Sequence, residues 1–383
     1  MKPKAWFPSL TSQFTICPVP YHMDTYRGCE YNCVYCFARN FVEFSRRKSG
    51  RAFTDLEPND PDAFSRWMKS VAGGGIDHRK GNRVAFVERL PLKIGACSDP
   101  FPTIEASARV TLAFLRLLQT IDYPVQISTK NPEVFASYAE EVKGANIVLT
   151  VTVTTTDPGL VSVIEPGAIA PDRRFAAIEK IAAMGFKVMV RIQPFIYPYI
   201  MRELPALVAR VASSGAFGFM TESLKIRVLM PRSEMLLYRK MFEHFGGDIR
   251  AWYRQGVGEV SSGDFELTKI RKMHYIGECV RLARQHGLRY YTGDNYMGQV
   301  GDGPECCGTE VLRDHAVVRC LRVTYFNEKP RLCRELEKCE CNFTRGERYR
   351  GMTVGEAIDR HQCETLVREF GGPGRFVRAG AVK

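Results

Sequence analysis

The residues with the clearest chemical meaning lie in one octapeptide, Cys29-Glu30-Tyr31-Asn32-Cys33-Val34-Tyr35-Cys36. Its C-x3-C-x2-C spacing suits three irons of a [4Fe–4S] cluster and leaves the fourth iron without a protein ligand. An open iron is where a substrate or cofactor binds, just as an open position separates catalytic from structural zinc. A structural zinc site would need a fourth ligand nearby, and His22 is the one close candidate.

A second group of cysteines lies far along the chain. Seven of the thirteen fall at Cys306, Cys307, Cys320, Cys333, Cys339, Cys341 and Cys363. Close-spaced cysteines beside glycine-rich backbone are typical of metal ligation. A second centre is expected here, a further [4Fe–4S] cluster rather than zinc. Its preferred ligands are Cys307, Cys333, Cys339 and Cys341, with Cys306 and Cys320 in reserve.

The bulk composition agrees with a reduced, metal-using protein. The 383 residues are 45% hydrophobic, enough for one large domain and an appendage. No secretory signal is read at Met1-Lys2-Pro3-Lys4, and no apolar run is long enough to span a bilayer. A cytoplasmic location without disulfides is therefore expected, and no membrane partner. The formal charge of +12 permits a polyanionic partner. Arg39, Arg46, Arg47, Lys48 and Arg51, interleaved with Phe41 and Phe44, form a basic stretch after the motif. It suits a solvated loop or a nucleic-acid backbone contact, the loop being the simpler reading.

The elements that must position these groups follow a βα rhythm. Strands are expected at residues 91–97, 124–129, 147–154, 187–192 and 216–221. Helices are expected at 104–119, 131–142, 173–184 and 204–212. Alternation with short links predicts an α/β fold with a parallel sheet, near six βα units up to Thr221. Tyr290 and Tyr291, on a strand-like run, are expected in the core. Three regions result: 1–225 as barrel, 226–292 as a helical and strand segment completing it, and 293–383 as a cysteine-rich, mostly irregular extension. Active sites of such barrels sit at the carboxyl ends of the strands. That rule gathers Cys97, Ser98, Asp99, Thr129, Lys130, Thr154 and Gln193 at one mouth.

With Tyr35 immediately before its last cysteine, the octapeptide resembles the radical S-adenosylmethionine (radical SAM) superfamily, which favours a cluster over zinc. Gly95-Ala96-Cys97-Ser98-Asp99-Pro100 with Glu105 beyond is similar to a stretch of the spore photoproduct lyase branch. So are Thr129-Lys130, and Glu165-Pro166-Gly167 leading through Arg173 to Gly185. The resemblance runs from about Tyr26 to about Tyr291. It implies a partial (β/α)6 TIM-type barrel. It also implies a cluster on Cys29, Cys33 and Cys36 whose open iron chelates SAM, and cleavage of SAM to a 5′-deoxyadenosyl radical that abstracts substrate hydrogen. Lys130 matches a lysine that contacts the SAM carboxylate, and Ser98 and Thr154 match hydroxyls near SAM. Cys97 matches a cysteine that returns a hydrogen atom to a radical product. Tyr35 and Gln193 complete the expected cofactor pocket. Phe37 departs from the branch, which has a tyrosine there able to relay a hydrogen atom. The cysteine-rich extension is a second departure.

The expectation is therefore a radical SAM enzyme, reduced by a donor such as flavodoxin or ferredoxin and acting on a nucleic acid or nucleotide. The alternative is a non-catalytic, zinc-stabilised nucleic-acid-binding protein.

Overall fold

The computed structural model describes residues 5–10, 17, 19–39, 42–43, 50–73, 81–230, 232–261, 263–294, 297, 300–303 and 305–318, with short strands at 325–326, 329–330 and 376–378. Its main sheet has eight strands that follow one another around the sheet in chain order. Ser9–Leu10 pairs antiparallel with Tyr21–His22. The remaining junctions are parallel, through Leu92–Ile94, Val125–Thr129, Ile147–Thr152, Lys187–Phe195, Gly218–Ser223 and Arg289–Thr292. The result is a partial TIM-type barrel. Six of its parallel strands precede Leu224, and Arg289–Thr292 adds a seventh.

The strands alternate two surfaces. Val125, Ile127, Leu149, Val151, Val188, Val190 and Ile192 join the large core between sheet and helices. Their neighbours Lys93, Gln126, Thr150, Arg191 and Gln193 therefore face the barrel interior, because strand side chains alternate sides. Tyr290 packs in the outer core. Tyr291 faces inward, with Met189 and Met220.

Helices over Val110–Gln119, Pro132–Tyr138, Pro171–Ala183, Tyr199–Ser213 and Lys269–Gln285 supply crossovers. Two begin on Pro132 and Pro171, whose missing N–H costs nothing at a first helical position. The expected helix at 104–119 is broken, because Arg109 takes a left-handed φ of 53° between Glu105–Ala108 and Val110–Gln119. The expected strand at 91–97 is shorter, ending at Ile94. Gly95 then turns at φ 91°, where a Cβ would lie 2.2 Å from the Ser128 carbonyl oxygen. Only glycine allows both that angle and that approach. Among the described residues no helix is long and apolar enough to cross a membrane.

Candidate active site at the barrel mouth

The motif loop is docked by its backbone. Cys29 N–H donates to Phe53 O at 2.9 Å, Val34 N–H to Ile164 O at 2.9 Å, and Gly167 N–H to Tyr31 O at 3.0 Å. A Cβ on Gly167 would sit 2.6 Å from the Glu30 oxygen, so the Glu165-Pro166-Gly167 turn is the bed on which the loop lies. Glu30 accepts from the Thr103 backbone N–H and hydroxyl, and Tyr31 donates its phenol to Phe101 O at 2.5 Å. These bonds anchor the backbone and leave the three thiols free.

Cys29, Cys33 and Cys36 carry no disulfide. They are close enough that charge on one disfavours charge on another. Burial first, then Asp99 and Cys36, pushes Cys29 up to about 12. Burial raises Cys33 further, against the pull of Lys130. Buried, mutually repelling thiols are a donor set suited to a cationic centre, since ligation deprotonates a coordinating thiol outright. Among the described residues no group of three His, Cys, Asp or Glu side chains is arranged to hold a single metal ion.

Behind the loop lies a buried charge network. Arg174 meets Glu165 at 2.6 Å, both side chains fully buried. Arg174 also donates to Thr152 O and Ile169 O, each at 2.8 Å. Burial would raise the Glu165 carboxyl, but Arg174 and then Lys130 outweigh it and hold it below its usual range. Glu165 accepts from the Tyr35 phenol, and from the Thr154 hydroxyl at 2.8 Å. Thr154 also reaches the Gln193 carbonyl at 3.1 Å. Tyr35 and Thr154 are thus joined across the mouth to the loop's bed.

Lys130 stands over the Tyr35 ring, its ammonium 5.6 Å from the centroid. Its ammonium makes no hydrogen bond or ion pair with a described residue. Burial would lower its pKa, but Cys33, Glu165 and Asp99 overcome that and raise it. Asp99 aims this lysine's backbone, accepting from Lys130 N–H at 2.7 Å and from the Thr129 hydroxyl at 2.7 Å. Asp24 does the same for the next loop, accepting from Ala96 N–H at 2.8 Å and Cys97 N–H at 3.0 Å. Cys97 is half-buried beside Asp24 and Cys36, and burial with those charges lifts its thiol to about 12.

The mouth therefore gathers Cys29, Cys33, Cys36, Tyr35, Cys97, Lys130 and Thr154. Ser98 and Gln193 are engaged within the protein, Ser98 donating to the Tyr26 carbonyl and Gln193 to Glu222. Phe37 is 75% exposed. Arg174 and Asp24 were not singled out in the sequence. Arg174 left a signal, since it shares the apolar stripe of its helix with Phe175, Ile178 and Ile181. A charge on such a stripe needs a buried partner. Asp24 left none.

Cys307 lies elsewhere. The segment 305–315 closes the opposite end of the barrel, under the amino ends of the strands. Arg313 N–H donates to Asn146 Oδ1 at 2.8 Å, and its side chain pairs with Asp122 at 2.6 Å. Gly308 packs under Phe217 and Met189. Cys306 and Cys307 sulfurs are 3.9 Å apart. Cys17 joins them, its thiol pushed up to about 11 by burial and then Cys307. Glu305 accepts from the Cys307 and Thr309 backbone N–H groups. Cys17 and Glu305 had no motif to mark them. Cys320, Cys333, Cys339, Cys341 and Cys363 fall outside the described residues, as do Phe41, Phe44, Arg46, Arg47 and Lys48.

No family model matches the chain. It is 25% identical over 216 residues to an uncharacterized protein of Mycobacterium tuberculosis and to one of Mycobacterium bovis, covering 55% of this chain. The match spans 60% of the length of these curated relatives. A double mutant of spore photoproduct lyase with bound AdoMet and dinucleoside spore photoproduct superposes at a TM-score of 0.50, with 15% identity, over 72% of this chain and 76% of that one. The partial barrel is thus held in common, and the chain has a spore photoproduct lyase-like fold.

Proposed function

We propose that the protein is a radical SAM enzyme whose active site is the carboxyl mouth of the barrel. The observation that carries this reading is one juxtaposition. Three free, neighbouring cysteines on an anchored loop stand beside Lys130, whose ammonium makes no hydrogen bond or ion pair with a described residue. Cys29, Cys33 and Cys36 would hold a [4Fe–4S] cluster. When bound, the cluster and SAM supply reductive cleavage of the sulfonium and a hydrogen-abstracting radical.

The chain's own residues bind, orient and protect. Lys130, raised over the Tyr35 ring, pairs with the SAM carboxylate by a charge-assisted bond. Glu165 and Arg174 keep Tyr35 and Thr154 in place and neutralise each other where water is absent. Ser98 and Gln193 frame the pocket through Tyr26 and Glu222. Cys97 stays a thiol at neutral pH because its environment disfavours the thiolate. It therefore retains a hydrogen atom to give to a product radical. A flavodoxin- or ferredoxin-class donor would supply the electron. The +12 charge supports a nucleotide or nucleic-acid substrate. So does the dinucleoside bound by the similarly folded lyase. Cys307, Cys333, Cys339 and Cys341 are retained as ligands of a second cluster, which would bring iron to about eight per chain.

The test is anaerobic reconstitution followed by iron analysis and measurement of 5′-deoxyadenosine with dithionite. Stoichiometric zinc with no SAM cleavage would overturn the reading in favour of the zinc-stabilised binding protein.

A further inference from the structure

Between the mouth and the floor, two cations face the barrel interior without a hydrogen-bonded or ion-paired partner among the described residues, Cys307 being the group that feels both. Lys93 lies between Leu92 and Ile94, and Arg191 between Val190 and Ile192. These four apolar neighbours are fully buried in the outer core, so both cations face inward. Both are partly exposed, so the interior is open to water. Neither side chain makes a hydrogen bond or ion pair with a described residue. Among the described residues Arg191 Nε is buried without a hydrogen-bond partner, and so is the Nδ1 of His22, whose strand residue pairs directly with Lys93. The nearby carboxylate Glu222 is taken by Lys225 at 3.0 Å and by Gln193.

The positions link this interior to the reaction site. Lys93 is within electrostatic reach of Cys97 at the mouth, of His22 beside it, and of Cys307 at the floor. Arg191 reaches Cys307 as well. Two cations facing one confined interior carry more positive charge than the single Cys307 thiol they share can offset, which leaves room for a bound anion. Burial and Lys93 hold His22 down to about 4, so its ring is neutral at pH 7 and can donate through Nδ1.

We propose that Lys93 and Arg191, with the His22 ring, form a substrate subsite inside the barrel that binds an oxyanionic group, a phosphate or a carboxylate. Assigning that anion to the substrate rests on the radical SAM reading, in which Cys97, within electrostatic reach of Lys93, belongs to the reaction site. An oxyanion seated there holds the rest of the substrate toward Cys97 and the mouth. It also offsets the excess positive charge of the interior.

The test uses the full chain without cluster, titrated calorimetrically with inorganic phosphate and separately with acetate at constant ionic strength. At least one anion should bind saturably, and comparing the two distinguishes phosphate from carboxylate. Lys93→Met and Arg191→Gln should each weaken that binding by at least about tenfold, the scale of one charge-assisted hydrogen bond. Arg191→Lys should restore most of it. Thermal unfolding without anion should not be lowered in Lys93→Met, since the ammonium makes no hydrogen bond or ion pair with a described residue. The proposal is overturned if neither anion saturates or if the variants bind as the wild type does. It is equally overturned if Lys93→Met lowers the unfolding temperature while phosphate and acetate binding stay unchanged. Lysine and arginine would then be structural partners of the floor. The anion titration needs no cluster. A protein that binds the anion but never cleaves SAM fails only the enzymatic reading, and one that cleaves SAM without binding either anion fails only this one.

Discussion

The barrel has cysteines at both ends, and the ends are built differently. At the mouth, three thiols sit on one short loop, held by backbone bonds to Phe53, Ile164 and Gly167. Their neighbours form a complete charge network from Lys130 through Glu165 to Arg174. At the floor, Cys17, Cys306 and Cys307 come from distant parts of the chain and converge under the strands. There the balance is between single groups. Glu305 is pushed up to about 8 by burial and then Cys307. Cys307 is brought down to about 5 by the Cys306 thiol, against burial, with Lys93 and Arg191 assisting. The mouth sets its thiols on one loop beside a charge network, while the floor joins cysteines of distant segments whose charges are tuned against one another.

Replacing Cys29, Cys33 and Cys36 together by Ala is the strongest test of this contrast. Deoxyadenosine formation should fall to the protein-free level and the mouth's share of iron should vanish. Iron at the floor and extension should remain. Changing Cys333, Cys339 and Cys341 should do the reverse, removing about half the iron and sparing part of the SAM cleavage. Equal losses from both triple variants would erase the distinction.

Arg174→Met should come next in size. It leaves Glu165 buried without its partner and should cost about 3–5 kcal/mol in urea unfolding. The double change Arg174→Met with Glu165→Gln should cost less, since no charge is stranded. A double variant as unstable as the single one would show that packing, not charge, holds the loop's bed.

Lys130→Ala should weaken SAM binding by about 1.5–3 kcal/mol, or roughly tenfold to more than a hundredfold, by titration calorimetry. Cluster content should be unchanged. Unaltered SAM affinity would remove Lys130 from the site.

The smallest effect concerns pH at the floor. Glu305, raised from 4.5 to about 8, keeps a proton in the folded state that the unfolded chain releases. Its contribution is complete below 4.5 and is lost as pH rises through 8. Cys307, lowered from 9.0 to about 5, acts oppositely, its contribution being present above 9.0 and lost as pH falls through 5. Thermal unfolding between pH 5 and pH 8 should therefore change in slope in Glu305→Gln, becoming more stabilising with rising pH. An unchanged slope would mean that the floor charges are not coupled to folding.

What the sequence determined by itself was local or periodic. The C-x3-C-x2-C spacing is contained in one loop, so its grouping needs no tertiary information. The strands expected at 124–129, 147–154 and 187–192 stood out by alternating with helical stretches, and their carboxyl ends named Lys130, Thr154 and Gln193. The same logic put Tyr290 and Tyr291 in the sheet. Tertiary structure decided everything that joins distant residues. It set Arg174 against Glu165 and Asp24 under the Ala96 and Cys97 amides. It turned the chain at Gly95, where the Ser128 carbonyl leaves room for no side chain. It also carried Cys307 to the barrel floor beside Cys17. Periodicity reports which face of an element is buried. It cannot report which buried charge will meet which, because that depends on strand order and tilt, and two residues far apart in sequence share an interior only after the barrel has closed.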